Sequence, residues 1–296
     1  METQRRGSVK SMIPVEPGVI SVQYSDRWSA FDRGTSPQEI PGIGKARCAC
    51  AVKSFKLAHA ANVDTHFIEQ VDDLTFHVKE FSVPGHFSLS GKVWGRVLPL
   101  EWIWRIRAYG SLLERLRTNA LKPEDLGFKP GVEVTEGMKL PRLRLECTTK
   151  FEGVDRHLSD DEARQIAEID QEQWDEAWDL LVRVLNITDA GFDLVGFIRP
   201  DGKGELGMTK DGRIVKVDVF GTPDEDRIID KRTGHIYSKD LIRNYLKSLP
   251  WYSELVRAKK ESPKDKTMWP PDPELPEELV ALVSERYGEV ARRYAA

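Results

Sequence analysis

Apolar and polar positions alternate most clearly over residues 100–108. Trp102, Trp104, Ile106 and Ala108 fall on one face, and Glu101, Ile103, Arg105 and Arg107 on the other. That alternation predicts a strand. Gly110 and Ser111 interrupt it, and Ser111 is placed to cap a helix that begins at Leu112. A strand with two arginines on one face would then run into a helix N-terminus, whose free N–H groups and positive dipole suit an anion such as phosphate. A half-buried strand with solvated arginines fits the same pattern.

Residues 19–24 and 74–79 alternate in the same way, while 46–60 carry apolar residues at helical spacing. Ser159 with Glu162, and Asp170 with Gln173, have capping-box spacing and predict two helices. The second carries Trp174, Trp178, Leu181 and Val184 on one stripe, which reads as core. Glycines and prolines punctuate 84–96, predicting a hairpin-like insertion near a junction. Helices are expected over 239–249 and 277–294, joined by a Pro-rich link at 262–276. Helices alternate with hairpins rather than with regular βαβ units, so the fold class is α+β.

Composition narrows the partners. Forty-four basic and 48 acidic residues leave a net charge of −4, which predicts neither a nucleic-acid footprint nor a membrane-binding face. Three cysteines and six histidines show no zinc, redox or His-Glu-x-x-His spacing. No apolar run follows the first residues and none reaches membrane-spanning length, so a soluble cytoplasmic protein is expected.

A second hairpin carries candidate chemistry. Asp211-Gly212 is a strong two-residue turn signal, and with that turn Glu205 lies directly opposite Asp218. Facing carboxylates repel unless something positive sits between them. Mg²⁺, bound through one or two carboxylates plus nucleotide phosphates, would resolve the conflict. A one-residue bulge separating the pair in solvent is the alternative.

The motifs carry a resemblance. Glu101-x-x-x-Arg105-x-Arg107-Ala108-x-Gly110-Ser111 resembles the central motif of the SAICAR synthetase family of purine biosynthesis. Asp201-Gly202-Lys203-Gly204-Glu205-Leu206-Gly207 is similar to its Asp-x-Lys-x-Glu-Phe-Gly. The run from Asp218 through Pro223-Asp224 to Arg227 is similar to its Asp-Glu-x-x-x-Pro-Asp-x-x-Arg. Asp26-Arg27-Trp28-Ser29-Ala30-Phe31-Asp32 resembles its Asp-Arg-x-Ser-Ala-Phe-Asp. Arg6-Gly7-Ser8-Val9-Lys10 resembles its Gly-Lys-x-Lys loop, although taken alone the stretch reads better as a frayed basic terminus. Residues 146–152 and the last helix also fall in family order.

The resemblance implies a two-domain α+β fold. A small antiparallel-sheet domain, 1–98, would cover ATP, and a larger one, 99–296, would hold ribotide and metal. It implies an ATP-dependent ligase that joins carboxyaminoimidazole ribotide to L-aspartate with Mg²⁺ as cofactor. Arg105, Ser111 and Arg227 would hold the ribotide phosphate, with Asp224 a further ribotide contact. Ser29 and Asp32 would face the acceptor side. Gly7, Ser8, Lys10 and Lys79 would contact nucleotide, Lys203 would lie near the reacting phosphate, and Glu205 and Asp218 would bind the metal. Departures are Val219 for Glu, Leu206 for Phe, and the acidic Glu225-Asp226 beside Arg227. Both acids are expected to face solvent, with less than a tenfold effect on ribotide affinity. A ligase of another pathway with a different acid or amine, and a nucleotide-binding homologue without activity, remain as rivals. A homo-oligomer is left open.

Overall fold

The computed structural model describes residues 4–152, 156–263 and 265–296. The chain opens with β1 (Arg5–Arg6), β2 (Lys10–Glu16), β3 (Val19–Tyr24), helix α1 (Ile43–Ala60), β4 (Phe67–Gln70) and β5 (Thr75–Lys79). These strands form one antiparallel sheet in the order β1-β2-β3-β5-β4. Asp26 fixes the start of α1, accepting from the Gly42 and Gly44 N–H groups at 2.9 and 2.8 Å.

The middle of the chain supplies β6 (Phe81–Ser82), β7 (Gly95–Val97), β8 (Leu100–Arg107), α2 (Ser111–Arg117) and β9 (Lys139–Thr149). Helices α3 (Asp160–Ala167) and α4 (Gln171–Leu194) follow, then β10 (Phe197–Ile198), β11 (Asp201–Thr209), β12 (Ile214–Val217) and β13 (Ile229–Asp230). A second sheet runs β6-β7-β11-β8-β9, with β12 also paired to β11. The chain closes with α5 (Asp240–Ser248), α6 (Pro250–Glu261) and α7 (Glu277–Tyr294).

Both capping boxes form: Ser159 accepts from Glu162 N–H, and Asp170 from Gln173 N–H, at the starts of α3 and α4. The α4 stripe is core. Trp174 and Trp178 pack on Trp102 of β8 with ring centroids 5.1 and 4.8 Å apart. One hydrophobic core joins both sheets, running from Ile20, Val22 and Phe76 to Leu100, Trp102 and Leu206. Helix α1 packs against both α4 and α7, which carries the C-terminal helix onto the first half of the chain.

The stretch 84–96 differs from the expected hairpin. Here β7 runs parallel to β6 and antiparallel to β11, so the change of sheet falls between Lys79 and Phe81. Buried Glu80 is the reason: its carboxylate gathers the loop, accepting from Leu89 N–H at 2.6 Å, Ser90 N–H at 2.9 Å and Ser88 Oγ at 3.0 Å. Helix α6 also went unforeseen, although Pro250 stands in its first turn, where a missing N–H costs nothing.

At the end of β8 a register shift between Arg105 and Arg107 breaks the alternation. Arg105 stays on the face of Glu101 and Ile103, while Arg107 turns away to donate to the Gly137 carbonyl at 2.9 Å. Helix α2 begins at Ser111 itself. Gly110, at φ 56° and ψ −129°, stands at its N-cap, a conformation that a Cβ would strain. Ser111 therefore caps nothing, and its hydroxyl accepts from Arg105 Nη2 at 2.9 Å instead.

Candidate active site

The β11–β12 hairpin closes with three residues, not two. Thr209 N–H donates to the Arg213 carbonyl at 2.9 Å, and Gly212 takes the left-handed position at φ 87°. The register moves by one, so Glu205 pairs with Val217 rather than Asp218. The two carboxylates meet nevertheless. Asp218 has a left-handed φ of 52°, which turns its side chain out of strand alternation and towards Glu205. Burial, then repulsion from Asp218, pushes the Glu205 carboxyl up to about 7 against the pull of Lys150. Burial opposes ionisation of Asp218 too, but Lys10 holds it well below the usual carboxylate range. Lys10 forms an ion pair with Asp218, and Lys150 reaches Glu205 at 2.5 Å.

Among the described residues no group of three or more His, Cys, Asp or Glu side chains is arranged to hold a metal. Glu205 and Asp218 offer two hard oxygen donors that already draw two ammonium groups. That set suits Mg²⁺ where phosphate oxygens and water complete its coordination.

This carboxylate pair borders the first of two clefts, and Lys150 and Glu101 link it to the second. The first, about 230 Å³, lies between the two sheets and is apolar, lined by Ile20, Val22, Phe76, Val78, Leu89 and Val217. Lys10, Lys79, Lys150, Glu205 and Asp218 border it. Gly7 N–H donates to the Lys10 carbonyl at 2.9 Å, so this pair closes the tight turn from β1 to β2, with Ser8 and Val9 at its tip, and sets Lys10 in place. Lys79 lies over the Trp94 ring at 5.1 Å.

The second cleft, about 680 Å³, is polar. Arg105, Ser111 and Arg227, far apart in sequence, converge on its wall. Arg105 donates to Glu146 at 2.8 Å and Asp201 at 3.1 Å; Arg227 shares Asp201 at 2.5 Å and meets Asp240 at 2.7 Å. Helix α2 has only seven residues, so the donors this wall offers an anion are its guanidinium groups, each already paired with a carboxylate, rather than a helix dipole. Asp224 lines the cleft but is anchored by Arg47 at 2.7 Å and the Tyr287 hydroxyl at 2.8 Å. Asp32 lies at the rim, where its carboxylate meets Lys259 at 3.4 Å. Ser29, three residues earlier, is half-buried outside the cleft lining.

Lys203 stands in the polar cleft, bound to Glu101 at 2.6 Å and 3.9 Å from Glu225. Burial would lower its pKa, but Glu225 and Glu101 outweigh that and raise it, so the group is an ammonium. Lys150 lies 3.7 Å from the same Glu101. A row of alternating charge, Lys10–Asp218, Glu205–Lys150 and Glu101–Lys203, thus passes from one cleft to the other.

Several members of this site carried no role in the sequence reading. Glu101 and Lys150 belong to the quoted motifs, so their pattern was visible although their function was not. Lys216 is fully buried in the apolar run of β12, and burial lowers it to about 8 against the attraction of Asp218 and Glu205. Nothing in alternation distinguishes it from its neighbours. The acidic pair beside Arg227 also departs from expectation. Asp226 is buried, pairs with Arg199 at 3.1 Å and is pushed up to about 7 by burial against that guanidinium. Glu225 faces the cleft rather than bulk water. Val219 is core.

The sequence model of the SAICAR synthetase family matches residues 3–258. The phosphoribosylaminoimidazole-succinocarboxamide synthases of Thermoplasma volcanium and Thermoplasma acidophilum are both 32% identical to the chain. The first match covers 97% of this chain and 96% of the relative, the second 99% and 98%. A SAICAR synthetase solved in complex with ADP superposes with a TM-score of 0.67 at 23% identity, covering 92% of this chain and 100% of that one. The SAICAR synthase of Saccharomyces cerevisiae, solved with SAICAR, gives 0.73 at 18% identity over 98% and 93%. At these identities the two structures speak for the fold alone. Matched over most of its length in sequence and in fold, the chain belongs to the SAICAR synthetase family.

Proposed function

We propose that the chain is an ATP-dependent amide ligase joining carboxyaminoimidazole ribotide to L-aspartate, with release of ADP and phosphate and formation of SAICAR in purine biosynthesis. The observation that carries this reading is the meeting of an apolar cleft and an arginine-walled cleft across one row of alternating charge. Adenine fits the apolar cleft, and Gly7, Ser8, Lys10 and Lys79 are assigned to the nucleotide. Arg105, Ser111 and Arg227 are assigned to the ribotide phosphate, Asp224 to the ribotide, and Ser29 and Asp32 to the acceptor side. Glu205 and Asp218 would hold Mg²⁺, which when bound neutralises phosphate charge. A cytoplasmic location is proposed with it; no helix among the described residues is long and apolar enough to cross a membrane.

The chemistry needs activation, because a carboxylate oxygen is a poor leaving group. A ribotide carboxylate oxygen attacks the γ-phosphorus, and the bond to ADP breaks. The aspartate amine, having lost a proton, then attacks the acyl carbon and phosphate leaves. The protein's part is positioning and charge neutralisation. Lys203, in the ribotide cleft and one carboxylate away from Lys150, is assigned to the phosphoryl group in transit.

Two variants separate the clefts. By calorimetry, Glu205→Gln is expected to weaken Mg²⁺-ADP and leave ribotide affinity unchanged. Arg105→Lys keeps the charge but loses the planar fork, and is expected to weaken ribotide by about 1.5–3 kcal/mol while sparing ADP. If either variant weakened both ligands equally, the division of roles would be wrong.

A further inference from the structure

Lys216 has 0% of its surface exposed, the state of a core leucine, yet it carries an amine. Its stem runs beside Gly204, where a Cβ would lie 3.3 Å from Lys216 Cε, and its Nζ lies 5.0 Å from the centre of the Phe220 ring. That Nζ donates to two successive main-chain carbonyls, Val217 O and, at 3.0 Å, Asp218 O.

Successive carbonyls in an extended strand point to opposite sides, so one ammonium reaches both only where the chain turns. Asp218 makes that turn, at φ 52°. A left-handed aspartate is unfavourable by itself and persists only where its surroundings hold it. The two carbonyls that flank its Cα are the ones Lys216 grips. The same turn brings the Asp218 carboxylate to Glu205.

We infer that Lys216 is a positioning residue, clamping the peptides on either side of Asp218 so that its carboxylate stays beside Glu205 for nucleotide-bound Mg²⁺. The inference rests on the reading of Glu205 and Asp218 as metal ligands. Lys216 touches neither nucleotide nor metal on this view and acts through the backbone of Asp218.

Lys216→Met keeps the length and apolar stem and removes the grip. A buried ammonium is costly to desolvate, so the variant is expected to fold and to melt no lower than the parent protein. Calorimetry should show Mg²⁺-ADP affinity reduced about 10–100-fold, the usual effect of losing a group that orients a metal ligand. ADP affinity without Mg²⁺, and ribotide affinity, should be unchanged. Lys216→Gln, with a shorter neutral donor, should fall between, and it carries the same comparison if the methionine variant does not fold.

Parent-like Mg²⁺-ADP affinity in the folded variant would overturn the inference. Equal losses with and without Mg²⁺ would also overturn it, since Lys216 would then serve the fold alone. A parent protein whose ADP affinity gains nothing from Mg²⁺ would remove the metal reading, and the inference with it.

Discussion

Replacing Lys203 with methionine is expected to lower kcat about 10²–10³-fold, the usual effect of removing one preorganised group from a developing charge. Changes in KM for ATP and ribotide should be small. The reason lies in its surroundings. Glu225 and Glu101 keep the Lys203 ammonium charged, and Glu101 holds it at 2.6 Å in the cleft wall. A charge fixed before the reaction needs no rearrangement as negative charge moves from ATP to the ribotide carboxylate. Methionine keeps the shape and removes the charge. The side chain is 36% exposed, so the fold should tolerate the change. Single-turnover ADP formation separates the cases: an unchanged chemical step with a raised KM would make Lys203 a ground-state binding group.

The second large effect concerns Glu146, which stands behind the arginine wall. It accepts from Arg105 at 2.8 Å and Arg115 at 2.7 Å, with Arg144 at 3.5 Å. Burial alone would raise this carboxyl, but Arg105 and then Arg115 outweigh it and bring it down to about 2. A depressed folded value means that the native state releases this proton more readily than the unfolded chain. The stabilisation is therefore complete above about pH 4.5 and lost as pH falls towards about 2. Its size is on the order of 3 kcal/mol. Glu146→Gln should be less stable than the parent by that order at neutral pH, and urea unfolding should show the gap closing across this acid window. A gap that stays constant with pH would assign the loss to packing rather than charge.

Elements with a strong period or a local cap were legible in the sequence. The α4 stripe, the two capping boxes and α7 follow from side-chain spacing that tertiary contacts did not override. The hairpin was less legible, because Asp-Gly suits a two-residue turn and also a three-residue loop with glycine in the left-handed position. Spacing alone put Glu205 opposite Asp218. The structure brings them together by another route, through the backbone of Asp218, which no strand pattern encodes.

Asp226 shows the same limit. A charged residue in a loop reads as solvated unless its partner is known, and Arg199 approaches from a segment 27 residues earlier. The convergence of Arg105, Ser111 and Arg227 was named from motifs, and the structure supplies what ties them together: Asp201, shared by the two arginines, and Arg105, which holds Ser111. Lys216, in an apolar run, gave no signal at all.

The proposed amide ligation runs along one charge row that links a nucleotide cleft to a ribotide cleft. Its most direct test is ADP release from ATP and Mg²⁺ with carboxyaminoimidazole ribotide, each amino acid being offered in turn. The expected result is ADP formation that requires ribotide and aspartate together, with one phosphate released per ADP. ADP formation that prefers another amine, or nucleotide binding without turnover for any pair, would contradict it.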